Sequence, residues 1–294
     1  MKEVSPPTDP PAPLEVPDFV PSEFDFDLRA GTQDFYLDPL YYDHEFKHRR
    51  DDTRWYTERY VEVAGPVLEL GVGTGRVALP AVRRGATVVG LDASPSMLRY
   101  LAERRDELPA KHRGRLNLVQ GDMRRFAFDH RFDLISCPFN AFQHLYDRRD
   151  ALQCLNMVRE HLAPEGRFAF DVLLPDLEYL VRPSHKRYPG VRFKHPTHGC
   201  FYRYSERSAY DPVRQINQMW FHYDRELDEG EYPATAKGPE SFVIQLAHRC
   251  FYPEEMAGLL DQAGLRIVER TGDFDGGPLR ADSESMVFVC ARSR

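Results

Sequence analysis

The middle of the chain alternates short apolar runs with longer stretches whose apolar residues recur at helical spacing. Runs at 67–70 and 87–92 are mostly apolar, which is typical of strands buried on both faces of a parallel sheet. Regular alternation with helices predicts a doubly wound, Rossmann-like α/β fold with a mostly parallel seven-stranded sheet. We expect the strands at 67–70, 87–92, 116–119, 132–136, 167–174, 265–269 and 286–291.

Capping residues place the helices between these strands. Ser94 can accept a backbone N–H of a helix that begins with Pro95, where the missing proline N–H costs nothing. Asp147 or Asp150 is expected to open a later helix, which the residues 164–166 stop. Further helices are expected within 41–62, over 76–84 and over 253–263.

The alternation stops after residue 175 and resumes near residue 248. Residues 176–247 instead contain aromatic and β-branched stretches separated by turn residues, a pattern that predicts an inserted antiparallel lid. The α/β domain then comprises 31–175 and 248–294. Residues 1–30 contain seven prolines, which predicts a flexible or extended arm.

The aromatic residues of the predicted lid alternate along its strands. Alternate side chains of a strand point to opposite faces, so one set should face a partner surface or a pocket. These residues are Phe201, Tyr202, Tyr204, Trp220, Phe221 and Tyr223.

Composition narrows the function classes. The net charge of −7 disfavours nucleic acid as a partner and favours a small-molecule substrate. No apolar run approaches the ~20 residues of a membrane-spanning helix, and the N-terminus lacks the layout of a secretory signal. Five scattered cysteines fit reduced thiols in the cytoplasm. Homo-oligomerisation stays open.

The clearest chemical motif is the run Glu-Leu-Gly-Val-Gly-Thr-Gly-Arg at 69–76, followed by Asp92 at the end of the next strand. The glycines allow the backbone to turn beneath a ligand that a Cβ would exclude. A carboxylate at the end of the second strand can bind ribose hydroxyls. An NAD site would show G-x-G-x-x-G and bind a diphosphate. Here the spacing is G-x-G-x-G, and the acidic Glu69 favours a cationic cofactor.

Together these motifs resemble those of the class I S-adenosylmethionine-dependent methyltransferases. Within that class the chain is similar to the small-molecule branch, which includes sugar N-methyltransferases and glycine N-methyltransferase-like enzymes. The resemblance implies methyl transfer from S-adenosylmethionine to a nitrogen or oxygen of a small molecule, with S-adenosylhomocysteine as product. It rests on 69–76, Asp92–Ala93–Ser94 with Met97, 121–123 and 139–145.

The resemblance also implies roles for single residues. Gly71 and Gly73 pass beneath the methionine portion of the cofactor, and Asp92 holds its ribose. Ala93 and Met97 pack against the adenine ring. For Met97, a role in the core of its own helix is the alternative.

Asp122 and Met123 read the edge of the adenine in this family, although Asp122 can instead be a simple turn residue. Phe139 is placed beside the cofactor. A tyrosine before the sheet closes the site, and we assign this role to Tyr42. Arg54 could bind the cofactor carboxylate, with a solvated surface arginine as the alternative.

His144 is the candidate for the catalytic step. It follows the fourth strand, at the edge where open α/β sheets bind ligands. Its ordinary pKa, near ~6.5, suits a general base for the acceptor. A histidine that only orients the cofactor or the following helix is an equal alternative.

Two alternative functions stay open. One is a cofactor-binding module without turnover. The other, which is less favoured, is an NAD-dependent oxidoreductase. Cys137 lacks the surroundings of a cytosine C5-methyltransferase nucleophile, and the Asn-Pro-Pro-Tyr tetrapeptide of adenine and glutamine N-methyltransferases is missing. His195, His198 and Cys200 are interpreted as loop residues, so no metal is expected.

Overall fold

A computed structural model of the protein describes residues 28–227 and 237–293. The strands are β1 (Pro66–Leu70), β2 (Thr87–Asp92), β3 (Leu116–Gln120), β4 (Phe132–Cys137), β5 (Leu162–Leu173), β6 (Tyr188–Lys194), β7 (Phe201–Asp211), β8 (Ile216–Glu226), β9 (Ser241–Arg249), β10 (Leu265–Thr271) and β11 (Ser285–Arg292). The helices are α1 (Leu28–Gln33), α2 (Pro39–Phe46), α3 (Asp51–Glu62), α4 (Ala78–Arg83), α5 (Pro95–Asp106), α6 (Ala110–Arg113), α7 (Arg148–His161), α8 (Leu177–Leu180) and α9 (Pro253–Gln262). Short 3-10 helices cover Asp34–Tyr36 and Ala141–His144.

The larger sheet has seven strands in the order β10-β11-β5-β4-β1-β2-β3. Strands β1 to β5 pair in parallel, and β11 runs antiparallel to both of its neighbours. Apolar runs buried on both sides explain this parallel core. The arrangement confirms the predicted doubly wound α/β fold.

Helices cover both faces of this sheet. On one face, α7 and α9 bury Leu155 and Leu260 in a cluster that also contains Phe170. On the other face, Tyr56 of α3 joins a cluster with Val88 of β2. The carboxyl ends of the parallel strands continue into the connecting turns. In open α/β folds, ligands bind at this edge of the sheet.

The second sheet has four antiparallel strands in the order β6-β7-β8-β9. It lies between β5 and α9 in the chain, where the sequence predicts antiparallel strands. Its last strand continues to Arg249, two residues beyond the predicted end of the insertion, because Ala247 and Arg249 pair with β8.

The aromatic residues of this sheet divide between its faces. Tyr202 and Tyr223 are buried against Phe35 and Tyr41, which lie before β1 in the chain. Trp220 lies on the opposite face, where the guanidinium of Arg207 stacks at 4.1 Å from its ring centre. One set therefore packs on the N-terminal part of the chain.

The proline-rich arm predicted over 1–30 lies mostly outside the described residues. Its last three residues begin helix α1 rather than an extended segment. This helix packs on β9 so closely that a Cβ on Gly31 would come within 2.6 Å of the Cβ of Ala247. Glycine therefore allows the contact between α1 and the four-stranded sheet.

Several helix and strand boundaries differ from the prediction. The helix expected over 76–84 covers Ala78–Arg83, because Gly75 turns the chain with a positive φ just before it. Asp147 caps α7 by accepting from the Asp150 N–H at 2.7 Å. Strand β5 begins at Leu162, directly after that helix. In the described part of the chain, no helix is long and apolar enough to span a bilayer.

Candidate functional site

A cavity of about 630 Å³ lies at the carboxyl ends of β1 to β4, and we call it the sheet-edge cavity. It brings together all the predicted site residues except Arg54. They are Tyr42, Glu69, Gly71, Gly73, Asp92, Ala93, Met97, Asp122, Met123, Phe139 and His144. A second cavity, of about 660 Å³, lies between the α2–α3 and β10–β11 connections, and none of the predicted residues lines it.

The glycine turn after β1 forms the floor of the sheet-edge cavity. Gly71 has a φ of +71°, and a Cβ there would come within 2.8 Å of the Cβ of Ala141. Gly73 has a φ of +54°. Glycine adopts these conformations without the steric cost that other residues meet. The turn therefore favours glycine at positions 71 and 73, which is the residue that the sequence has at both.

Asp92 connects the glycine turn to β2. Its Oδ2 accepts from the Gly73 N–H at 2.7 Å, and its Oδ1 accepts from the Ser94 N–H at 2.8 Å. Burial raises the pKa of Asp92, while these backbone hydrogen bonds act in the opposite direction. The same carboxylate that lines the cavity thus also shapes the turn beneath it.

Glu69 contributes a buried carboxylate to the wall. Its side chain is 2% exposed, and its Oε2 has no hydrogen-bond partner. Burial raises the pKa of Glu69 to about 8, although a hydrogen bond from Tyr60 and the charge of Arg76 lower it. A cationic ligand would supply the charge that this oxygen lacks.

Arg76 and Phe139 form another part of the wall. The Arg76 guanidinium lies 4.3 Å from the centre of the Phe139 ring. It donates to both carboxylate oxygens of Asp52, with 3.0 Å between Nη1 and Oδ1. Both partners of this ion pair are largely buried. Tyr42 lines the cavity beside them, whereas Tyr41 bonds to the Tyr223 hydroxyl at 2.7 Å.

Arg54 does not join the other predicted residues. It lies on the exposed side of α3, where its Nη2 is 2.8 Å from Oδ1 of Asp275. Its side chain is 57% exposed. Arg76 therefore stands in the wall of the cavity where the sequence predicted Arg54.

The far end of the cavity is formed by Met97, Ala93 and Asp122. Met97 is also buried in the protein core, so both of its predicted roles are compatible with its position. The Arg124 Nε lies 3.0 Å from each carboxylate oxygen of Asp122 and donates to both. These hydrogen bonds lower the pKa of Asp122. Arg124 also pairs with Asp150.

His144 lies at the end of the 3-10 helix after β4. Its Nε2 is 2.6 Å from the Tyr36 hydroxyl, and its Nδ1 is 3.3 Å from the Tyr146 hydroxyl. Burial lowers the pKa of His144 to about 4. The imidazole is therefore neutral at physiological pH, and both ring nitrogens are engaged with tyrosines.

The other candidate residues form structural contacts. His195 stacks on Tyr41 at 4.7 Å and on His198 at 4.2 Å. Among residues 28–227 and 237–293, no group of three His, Cys, Asp or Glu side chains is arranged to hold a metal ion. Burial raises the pKa of the Cys137 thiol, which keeps it protonated.

Comparison with known proteins identifies the family. Residues 67–166 match a family model described as a methyltransferase domain. A cypemycin N-terminal methyltransferase from Streptomyces sp is 31% identical over 229 residues, which span 77% of this chain and 82% of that protein. The chain belongs to the S-adenosylmethionine-dependent methyltransferases.

Solved structures share the fold of this methyltransferase. The CcbJ methyltransferase from Streptomyces caelestis superposes with a TM-score of 0.73 at 23% identity, over 90% of this chain and 99% of that one. The glycopeptide N-methyltransferase MtfA, in its complex with S-adenosylmethionine, gives a TM-score of 0.56 at 25% identity, over 82% and 87% of the two chains. The cofactor is S-adenosylmethionine, and the alternatives of an NAD enzyme or a module without turnover are set aside.

The cavity of the methyltransferase fits this cofactor. The unpartnered Glu69 oxygen suits a cation, and Gly71 lines the cavity at a point where a Cβ would come within 2.8 Å of the Cβ of Ala141. Sequence reasoning missed Arg76 and Tyr36 as wall residues. Arg76 directly follows the glycine run, which could have indicated it, whereas Tyr36 carries no local signal.

The burial of Glu69 predicts that cofactor binding depends on pH. Burial raises the pKa of Glu69 to about 8, so the protonated form is expected to dominate at pH 7 in the ligand-free protein, and a bound cation favours the ionised form. We therefore expect S-adenosylmethionine binding at pH 7 to release close to one proton, and affinity to rise toward pH 8 and then level off. Calorimetry in two buffers of different ionisation enthalpy measures the release. The isosteric variant Glu69→Gln should abolish it, and equal release by both proteins would contradict the role of Glu69.

Proposed function

We propose that this methyltransferase transfers the methyl group of S-adenosylmethionine to an amine nitrogen of a small molecule. Two of the similar proteins support nitrogen as the acceptor atom, because the name of the cypemycin enzyme specifies an N-terminus and that of the glycopeptide enzyme specifies N-methylation. A metabolite that carries an amine, such as an amino sugar, fits the predicted small-molecule branch.

The sheet-edge cavity would hold the cofactor along its length. Asp92 is assigned to the ribose, Glu69 to the cationic portion and Arg76 to the carboxylate. Ala93 and Met97 are assigned to the adenine. When bound, S-adenosylmethionine supplies a methyl group on a positively charged sulfur. The Glu69 carboxylate is opposite in charge to the cationic portion of the cofactor, and the Arg76 guanidinium is opposite in charge to the cofactor carboxylate. These charges support this direction of binding.

The observation that carries the choice of nitrogen is that tyrosines occupy both ring nitrogens of His144, which leaves no free imidazole lone pair to deprotonate an acceptor hydroxyl. The single Tyr146 hydroxyl proton is used by the Ala247 carbonyl at 3.1 Å or by the Thr32 hydroxyl at 2.7 Å, so the Tyr146 oxygen accepts from the His144 Nδ1–H. The Nε2 lone pair then accepts the Tyr36 hydroxyl proton. Tyr36 is consequently held with its oxygen lone pairs available to an acceptor N–H.

Chemistry also favours an amine at this site. An alcohol requires a strong base in order to attack, whereas a neutral amine already presents a lone pair. Burial lowers the pKa of His144 to about 4, so it is a weak base, and burial raises the pKa of Tyr36. We therefore assign His144 as a positioning residue that orients Tyr36.

The four-stranded sheet is proposed to act as the lid over the acceptor side. His248 of β9 lies 5.2 Å from His144, measured between ring centres. This contact brings the insertion, 176–247 with the first residues after it, beside the proposed reacting groups. The α/β domain of 31–175 and 248–294 then binds the cofactor.

The function is tested by turnover with paired acceptors. Purified protein and S-adenosylmethionine are incubated with amino sugars and with the same sugars carrying a hydroxyl in place of the amine. We expect S-adenosylhomocysteine to form, together with a mass increase of one methyl group, for an amine and not for its hydroxyl partner. Methylation of the hydroxyl partner alone would contradict the choice of nitrogen.

The Tyr36–His144 pair should act as one unit in that assay. Tyr36→Phe and His144→Asn are each expected to lower kcat by about 10- to 100-fold, because misplacement of an orienting group has costs of this size. The double variant should be no slower than the slower single variant. The exposed His130→Asn serves as the control. Independent, multiplying losses would show that the two residues do not act together.

A further inference from the structure

The turn after β4 has an unusual backbone. Phe139 has a φ of +55° and Asn140 a φ of +61°, and neither is glycine. Asparagine tolerates this left-handed region better than most residues, but phenylalanine pays a steric cost there. Phe139 lines the sheet-edge cavity. Something outside the turn must therefore hold this conformation.

One buried carboxylate contacts both strained residues. Asp171 lies near the end of β5, the strand beside β4. Its Oδ1 accepts from the Phe139 N–H at 2.8 Å, and its Oδ2 accepts from the Asn140 N–H at 3.2 Å. The Tyr56 hydroxyl donates to Oδ1 at 2.7 Å. Asp171 is 2% exposed, so water does not compete for these bonds.

The turn places the Phe139 ring in the cavity wall. The ring lies 4.8 Å from that of Phe46, and the guanidinium groups of Arg76 and Arg49 are 4.3 Å and 5.4 Å from its centre. A change in the turn would move this ring and the cationic wall that packs on it. The Asp171 carboxylate thus bonds to a turn that carries part of the wall of the sheet-edge cavity, and it does not line the cavity itself.

We propose that Asp171 is a positioning residue, whose ionised carboxylate holds the Phe139–Asn140 turn in the conformation that binds the cofactor. The inference rests on the proposed function, because the turn forms part of the wall of the sheet-edge cavity, to which the cofactor is assigned. Neutralising Asp171 weakens the hold on the turn and, through it, cofactor binding.

Charged and titratable groups face Asp171 from three sides. Helix α3 contributes Tyr56 and Asp52, β4 contributes Cys137, and Arg76 follows β1. Burial raises the pKa of Asp171 to about 6, against the lowering effect of the Tyr56 hydrogen bond. Below that pH a proton occupies one Asp171 oxygen. The hydrogen bond that this oxygen accepts from an N–H group of the turn is then weakened.

The test follows the two amide groups directly. In ¹H–¹⁵N spectra of the whole protein, the Phe139 and Asn140 amides should titrate together with a midpoint near pH 6. Tyr56→Phe removes a hydrogen bond that lowers the pKa of Asp171, so it should move the shared midpoint to higher pH. Asp171→Asn should remove the titration. It should also weaken S-adenosylhomocysteine binding at pH 7 about tenfold, the cost expected of one strained residue.

A matched control separates this role from a general effect. Asp133→Asn makes the same change at an exposed position of β4 and should leave both readouts as in the wild type. A folded Asp171→Asn protein with wild-type affinity would overturn the proposal. If that variant does not fold, unshifted midpoints in Tyr56→Phe would overturn it instead. Failure of the wild-type protein to bind S-adenosylhomocysteine would count against the cofactor assignment, while the amide titration would still decide the role of Asp171.

Discussion

Replacing Asp92 with alanine is expected to weaken S-adenosylhomocysteine binding by about 3 kcal/mol, or roughly 150-fold. The carboxylate is assigned to the ribose, and hydrogen bonds to a charged group lie at the strong end of their range. It also accepts from the N–H groups of Gly73 and Ser94, so its removal loosens the glycine turn beneath the ligand. Isothermal titration of the variant measures the loss.

Asp92→Asn separates the two contributions. Asparagine keeps one oxygen as an acceptor but presents an NH₂ group to one of the two backbone N–H groups. We expect a loss between those of the wild type and the alanine variant. The exposed Asp129→Ala is the control and should bind normally. Affinity within twofold of wild type in Asp92→Ala would exclude Asp92 from the ribose site.

Replacing Arg76 with alanine is expected to lower the free energy of unfolding by about 3–5 kcal/mol, because the partner Asp52 is left as a buried, unpaired charge. The same change should weaken S-adenosylhomocysteine binding, since Arg76 lines the cavity and is assigned to the carboxylate. Denaturant unfolding and isothermal titration report the two effects separately.

Arg54→Ala is the matched control. Its ion pair with Asp275 is exposed, and such pairs contribute about 0–1 kcal/mol to stability. The double variant Asp52→Ala/Arg76→Ala removes both charges, so it should recover much of the stability but not the affinity. If Arg54→Ala weakened binding and Arg76→Ala did not, Arg54 rather than Arg76 would bind the cofactor carboxylate.

The sequence alone predicted the features that depend on local chemistry. Apolar strands, the Ser94 cap and the glycine turn each need particular residues at fixed, short spacing. Asp92 could be placed because the ends of parallel strands meet at one edge of the sheet. For the same reason the sequence placed His144 beside the cavity, although it left open whether that residue acts as a base or as an orienting group.

Only the tertiary structure decided which of several similar residues reach the site. Tyr42 rather than Tyr41 lines the cavity because α2 turns Tyr41 toward the four-stranded sheet. Arg76 rather than Arg54 lines the cavity, where a pair with Asp52 holds it. Tyr36 and Asp171 act through partners 108 and 32 residues away in the chain. Such contacts follow from packing between distant segments, which local sequence patterns do not encode.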